Sequence, residues 1–419
     1  MKRIAMIAFH FPPSSGSSGV QRTLRFAQQL PSFGWEPAVL TASARAYENT
    51  SDDLLREIPR ALIVRRAFAL DARRHLSAFQ RYPGWLARPD RWLTWLFGAL
   101  ATGMRMIRQF KPDVLWSTYP IATAHLIGYW LARLSGIAWL ADFRDPMAHD
   151  GYPVEPKTWQ SYLRTEQRVF SRARHCVFTT RGSALLYRQR YPEVSERISV
   201  IENGYDEEAF RCAEQSPLRE ALNAGRVTLL HSGVVYPEWR NPQALFEALR
   251  RLIDCGDVDG SRLCLRFRAP GNMQFVSGMA ERYGLGGLVQ VLPAIAYGDS
   301  LVEMLRADGL LLLQSRDCND QIPAKTYEYL RAGRPILGLT DAAGDTAQTL
   351  SRAGFTDTAS LDSSAQIAGA LKRFLAMLGS AGVVRADPRY VTSLSRLERT
   401  REFALLLDTL VAPRALECL

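Results

Sequence analysis

The sequence predicts two successive α/β domains, each a parallel sheet with helices on both faces. Three observations point there. The chain has 419 residues, a length that favours two domains of roughly 150–200 residues. Short apolar runs alternate with stretches of helical spacing along nearly all of it. The alternation pauses once, at Asn203-Gly204 and the polar stretch 205–225, then restarts. The expected domains are therefore 1–205 and 206–392, followed by a last helix in 393–419 that crosses back to the first domain.

The elements follow in order. Residues 3–9 form an apolar run that reads as a buried strand. A turn-forming segment at 12–19, PPSSGSSG, leads into 20–33, where apolar residues at 20, 24, 26, 27 and 30 have helix spacing. Strands are expected at 36–41, 114–117, 138–142, 176–179 and 198–202, with helices over 121–134 and 183–190. The second half repeats the pattern, with strands at 227–232, 263–268, 289–292, 309–313 and 335–339. Its helices are expected at 241–253, 273–283, 299–306 and 323–332, and the final helix at 393–411.

Composition excludes several classes. With 47% hydrophobic and 22% charged residues, the chain is neither disordered, collagen-like nor a disulfide scaffold. Its most apolar stretches, such as 121–134, are too short for a membrane span of ~20 residues. The opening MKRIAMIAFHFPP runs into a Pro/Gly/Ser turn rather than a cleavage site, so no signal peptide is expected. Six cysteines show no CxxC spacing, which fits a reducing, cytoplasmic compartment with no structural zinc.

Charge is uneven. Residues 1–210 hold 28 basic and 19 acidic side chains, whereas the remainder is nearly balanced. A one-sided basic field suits an anionic partner such as membrane headgroups, a phosphorylated lipid or nucleic acid. Within it, residues 72–110 interleave Arg88, Arg91, Arg105 and Arg108 with Trp85, Trp92, Trp95, Leu96 and Phe97. That pattern fits a face lying on an anionic membrane, or a core helix with a solvated basic side.

Several motifs carry chemistry. The Gly-rich turn at 12–19 precedes a helix N-terminus, which favours negative charge, though an ordinary strand–helix turn would look the same. It lacks the GxGxxG spacing of a dinucleotide site. Leu230-His231-Ser232-Gly233 ends a strand, and Arg240 follows at the start of the next helix. Farther on, Pro323 fits a helix start, with amides around 323–326 ready for a diphosphate. Lys325 and Glu328 share one face of that helix, where they suit a ligand with phosphates and ribose hydroxyls, or pair with each other. Asp257-Val258-Asp259 spells DxD, a pattern that can bind a metal ion. It lies in a polar loop without a third ligand and is read as solvated. No metal site is assigned.

Five segments in order, FHFPPSSGSSGVQRT, ADFRDP, VIENGYDEEAF, HSGVVYPEWRNP and QIPAKTYEYLRAGRPIL, make the chain resemble the GT-B glycosyltransferases of family 4. The resemblance implies two Rossmann-like doubly wound domains with an interdomain cleft, and retaining, metal-independent sugar transfer without a cofactor. The donor would be a nucleotide-sugar, with a UDP-sugar expected. The acceptor would be a saccharide, a polyprenyl-diphosphate-linked one in surface polysaccharide biosynthesis. By position, Glu328 matches the ribose-binding second acid of the family's E-x7-E element and Asp320 the first. Arg240 matches the diphosphate-neutralising residue. Val234 stands where an arginine is usual, with Lys325 as its candidate replacement. Gly16, Gly19 and Gly233 match donor-facing loops. The family's histidine is missing from ADFRDP, which leaves Asp142 and Asp145 as candidate catalytic acids and Arg144 as an acceptor-binding group. A structural Asp–Arg pair is the alternative there. Nucleic acid is not an expected partner, since no recognised module accompanies the charge. A sugar-nucleotide epimerase and a non-catalytic sugar-nucleotide-binding assembly protein remain the rival readings.

Overall fold

A computed structural model describes residues 1–15, 19–77, 83–149, 151–218, 220–380 and 384–411. The chain divides into two compact units, one of Met1–Glu202 with Arg396–Leu419, the other of Asn203–Ser395. Each is built on one parallel sheet.

The first unit has seven strands: β1 (Lys2–Ala8), β2 (Trp35–Ala42), β3 (Ile63–Ala67), β4 (Val114–Thr118), β5 (Ala138–Arg144), β6 (His175–Phe178) and β7 (Ile198–Val200). They lie in the order β3-β2-β1-β4-β5-β6-β7. From Ile4 onward β1 is wholly buried, because helices cover both faces and leave no solvated side to alternate toward. The order reverses between β1 and β4, where ligands of open α/β sheets bind beside the strands' carboxyl ends. Registers Ala8↔Thr118 and Thr118↔Asp142 bring those ends level.

Helix Arg396–Val411 belongs to this unit. Phe403 stacks on Phe26 at 4.6 Å, Thr400 donates to Gln29 at 2.7 Å, and Asp408 accepts from the Trp35 indole at 3.0 Å.

The second unit has six strands: β8 (Val227–Ser232), β9 (Leu263–Arg268), β10 (Val289–Leu292), β11 (Gly309–Leu313), β12 (Ile336–Leu339) and β13 (Thr358–Ala359). Their order is β10-β9-β8-β11-β12-β13, which reverses between β8 and β11.

Some elements were not expected from the sequence. Edge strand β3 reads IVRRA, with Arg65 and Arg66 exposed, so it lacks an apolar run. Helices Pro156–Arg172 and Ser364–Leu378 are capped by Glu155 and Ser363. The second carries a readable stripe of Ile367, Ala370, Leu371 and Phe374.

Candidate functional site

In the second unit the site is built where β8 ends. The Ser232 amide donates to the Tyr329 hydroxyl at 2.8 Å, which ties the strand end to helix Ala324–Ala332. Gly233 follows with φ +147°, a conformation that L side chains rarely adopt, and a Cβ there would stand 3.9 Å from the Lys325 Cγ. The stem of Lys325 thus lies over the turn. Its ammonium sits 2.7 Å from the Glu328 carboxylate, and the Tyr297 hydroxyl donates to the other Glu328 oxygen at 3.0 Å. The ion pair that the spacing allowed is therefore formed, on a carboxylate that is buried.

Pro323 is the residue before the helix, not its first turn, with φ −56° and ψ 134°. This corrects the expected start by one residue. Its carbonyl accepts the Thr326 amide at 2.9 Å. The amides of Ala324 and Lys325 meet no acceptor among the described residues. Asp320 lies in the turn just before, half-buried. Gln314 fixes this segment by donating to the carbonyls of Cys318 at 2.7 Å and Gln321 at 2.9 Å.

Arg240 is not on a helix. It lies in the loop before helix Gln243–Asp254. Its guanidinium folds back to donate to the Val234 carbonyl at 3.1 Å and lies over the Tyr236 ring at 5.4 Å. Among the described residues no carboxylate pairs with it. Burial holds its pKa below the usual arginine value. The guanidinium thereby comes back to the turn where Val234 replaces the customary arginine. His231 lies beneath. Burial, with the fields of Arg240 and Lys325 added, lowers its pKa to about 4 and leaves the ring neutral.

In the first unit the expected residues meet at the carboxyl ends of β1, β4 and β5. Asp142 is fully buried, and both its oxygens are taken by Arg22, at 2.9 and 3.1 Å, with the Thr118 hydroxyl adding a third bond at 3.1 Å. Three donors thus already hold this carboxylate, an arrangement that favours the structural Asp–Arg pair over a catalytic acid. The partner is Arg22, not the neighbouring Arg144.

Arg144 is buried and holds φ +62°, a left-handed conformation that costs a non-glycine residue roughly 1–2 kcal/mol. The Thr179 amide and hydroxyl pin its carbonyl at 3.0 and 2.7 Å. Burial lowers its pKa. Asp145, half-buried beside it, has its pKa raised by burial against the opposing field of Arg144. The loop that follows is fixed from below. Ala148 donates its amide to Glu166 at 2.7 Å and Met147 donates to the Tyr187 hydroxyl at 2.8 Å. His10, just past β1, is lowered to about 4 by burial and by Arg144. Sequence spacing gave no signal for His10 or Glu166, because both reach the site across the fold. Gly19 is the first residue of helix Gly19–Gln29. Gly16 lies outside the described residues.

The arginine–aromatic stretch divides. Trp95 is fully buried, and the Trp92 indole donates to the Ala46 carbonyl at 3.1 Å. Arg91 pairs with Glu48 at 2.6 Å and Arg88 with Glu155 at 3.4 Å. That part is core and local ion pairing, whereas Trp85 and Phe97 stay exposed. The DxD pair is likewise engaged elsewhere: Asp257 pairs with Lys372 at 2.7 Å, and Asp259 accepts the Ser261 amide at 2.9 Å. No helix among the described residues is long and apolar enough to cross a membrane.

Comparison with known proteins follows the same lines. Residues 18–204 match the family described as glycosyl transferase 4-like domain. No curated protein matches the chain by sequence. Among solved structures, sucrose-phosphate synthase from Thermosynechococcus elongatus is 15% identical, with 98% of this chain and 100% of that one covered and a TM-score of 0.68. Anabaena HepE in complex with UDP and glucose is 13% identical, covered over 98% and 100%, with a TM-score of 0.67. WaaG, a glycosyltransferase involved in lipopolysaccharide biosynthesis, is 14% identical over 96% and 95%, with a TM-score of 0.56. At such identities these likenesses show the fold, and the sequence family speaks for residues 18–204. Residues 18–204 thus match a glycosyl transferase 4-like domain, and the chain as a whole has the GT-B fold.

Proposed function

We propose that the second unit binds a nucleotide-sugar, a UDP-sugar in the first instance, and that its sugar passes with retained configuration to an acceptor hydroxyl held by the first unit. The observation that carries this reading is the positive turn at Gly233. Among the described residues Arg240 has carbonyl and ring partners but no carboxylate, Lys325 lies over the glycine, and the Ala324 and Lys325 amides stand at a helix start. Such a set neutralises a diphosphate as it leaves, without calling on a metal ion. Glu328, held by Lys325 and Tyr297, would exchange a partner for the ribose hydroxyls. Asp320 would face the donor sugar. In the first unit Asp145 would orient or deprotonate the acceptor hydroxyl, since a raised pKa brings a carboxylate nearer its working range. Arg144 would grip an acceptor phosphate. The acceptor is proposed as a polyprenyl-diphosphate-linked saccharide in surface polysaccharide assembly, which supports a cytoplasmic enzyme peripheral to an anionic membrane. HepE with UDP and WaaG in lipopolysaccharide biosynthesis supply the precedent for donor and pathway class.

The test is calorimetric titration with UDP-, GDP-, ADP- and dTDP-sugars. Arg240→Ala, Lys325→Ala and Glu328→Ala should each weaken the preferred donor about 10–100-fold, the loss of one charge-assisted contact of ~1.5–3 kcal/mol. Donor affinity unchanged in all three would remove the site. Activity should persist in EDTA, and loss restored by Mn²⁺ would overturn the metal-free reading.

A further inference from the structure

We propose that the first unit carries a bilayer-docking face made by the end of β3 and the outer stripe of helix Thr94–Phe110, and that its occupant is an anionic lipid surface. It rests on the membrane-linked acceptor reading above and says which surface touches the lipid. Of the residues the sequence singled out, Phe97, Arg105 and Arg108 belong to this face, whereas Trp92, Trp95, Arg88 and Arg91 are engaged in the core or in ion pairs.

Two aromatic side chains are exposed on this part of the unit. Phe97 is 71% exposed and Phe68 50% exposed. Gly98 brings them together: a Cβ there would fall 2.4 Å from the Phe68 carbonyl oxygen and 2.9 Å from its Cβ. The helix can therefore approach the chain after β3 only with glycine at that position. Phe68 follows the carboxyl end of β3, and Phe97 lies in the first turn of the helix. Both therefore stand on the carboxyl-end side of the sheet, the side on which Asp145 follows the interior strand β5.

Cations lie on the same face. The Arg45 guanidinium lies over the Phe68 ring at 4.6 Å. Along the helix the exposed positions 97, 101, 105 and 108 fall on one stripe, so Phe97 and Ala101 give way to Arg105 and Arg108. Arg45, Arg105 and Arg108 have no carboxylate partner among the described residues, unlike Arg88 and Arg91. Exposed phenylalanine has no polar tip to satisfy and gains by entering the acyl boundary, while unpaired arginines meet anionic headgroups. An acidic protein would answer the cations but not the exposed phenylalanines. Nucleic acid would stack on aromatics within a continuous basic groove, and this face is a ridge of one helix.

Co-sedimentation of the full chain with extruded vesicles tests the assignment. Vesicles of 30 mol% phosphatidylglycerol in phosphatidylcholine should bind it and pure phosphatidylcholine should not. Arg105→Gln with Arg108→Gln should lower partitioning about 25-fold, near five-fold per cation. Phe68→Ser with Phe97→Ser should lower it about ten-fold or more, and Phe97→Trp should hold or strengthen it. Circular dichroism verifies that each variant is folded, which the exposure of these side chains leads us to expect. Wild-type chain that ignores anionic vesicles, variants that bind as it does, or binding to duplex DNA in place of vesicles would each overturn the proposal. Donor titration separates this outcome from the reaction reading. A chain that binds nucleotide-sugar but not vesicles refutes the face alone, and the converse refutes the donor site alone.

Discussion

The substitution Asp142→Asn tests whether this carboxylate is structural or catalytic. Asp142 and Arg22 have side chains 1% and 6% exposed, joined at 2.9 Å. A neutral amide in place of the carboxylate would leave the guanidinium buried without its counter-charge, close to the equally buried Arg144. Breaking a buried pair from one side costs about 3–5 kcal/mol. Arg22 retains its bonds to the carbonyls of Ile201 and Glu202, both at 3.1 Å, which places the cost toward the lower end of that range. For a folding unit of about 200 residues each kcal/mol moves the midpoint by about 2–4 °C. The unit should therefore melt roughly 6–16 °C lower by scanning calorimetry. Removing both charges with Arg22→Met and Asp142→Leu should recover most of the loss, because the desolvation cost goes with the pair. Donor affinity should not change, as the proposed donor groups lie in the other unit. A midpoint within about 2 °C of wild type, together with abolished transfer, would refute the structural reading and return Asp142 to the chemistry.

Two further outcomes concern pH. Asp145 has a folded pKa raised by burial, so the folded chain binds its proton more tightly than the unfolded one. Stability therefore falls as pH rises from the ordinary carboxylate range through the folded pKa. Asp145→Asn should raise the melting midpoint at pH 7.5, leave it unchanged near pH 3 and abolish transfer with donor binding intact. A variant equally stable and fully active would remove Asp145 from the reaction. His125 runs the other way. Its ring is fully buried against the Ser117 hydroxyl at 2.8 Å, and burial lowers its pKa to about 3. Unfolded chain takes up the proton near pH 6.5, so this histidine costs stability as pH falls from there toward 3, by up to ~1.4 kcal/mol per pH unit. His125→Gln should flatten the slope of unfolding free energy between pH 6.5 and 5 by about that amount, and an unchanged slope would refute the assignment.

The two parallel sheets were legible in the chain alone. Runs such as Ile4–Ala8 and Leu310–Leu313 are buried along their whole length, and only strands covered on both faces need that composition. The local partners at the second unit's site were equally legible, since Lys325 and Glu328 are one helical turn apart. Long-range packing supplied the rest. Arg22 meets Asp142 across 120 residues because β1, β4 and β5 are neighbours, and no periodicity in the chain encodes strand order. The same order brings His10 under Arg144, and the fold of helix Pro156–Arg172 brings Glu166 beneath the loop after β5. In 72–110 the pattern announced an amphipathic stretch, but which rings faced inward depended on what packed behind them: Trp95 found the core, whereas Trp85 and Phe97 were left at the surface. Local spacing records which residues share a face. Which face is covered, and by what, is settled only when distant segments compete for the same apolar area.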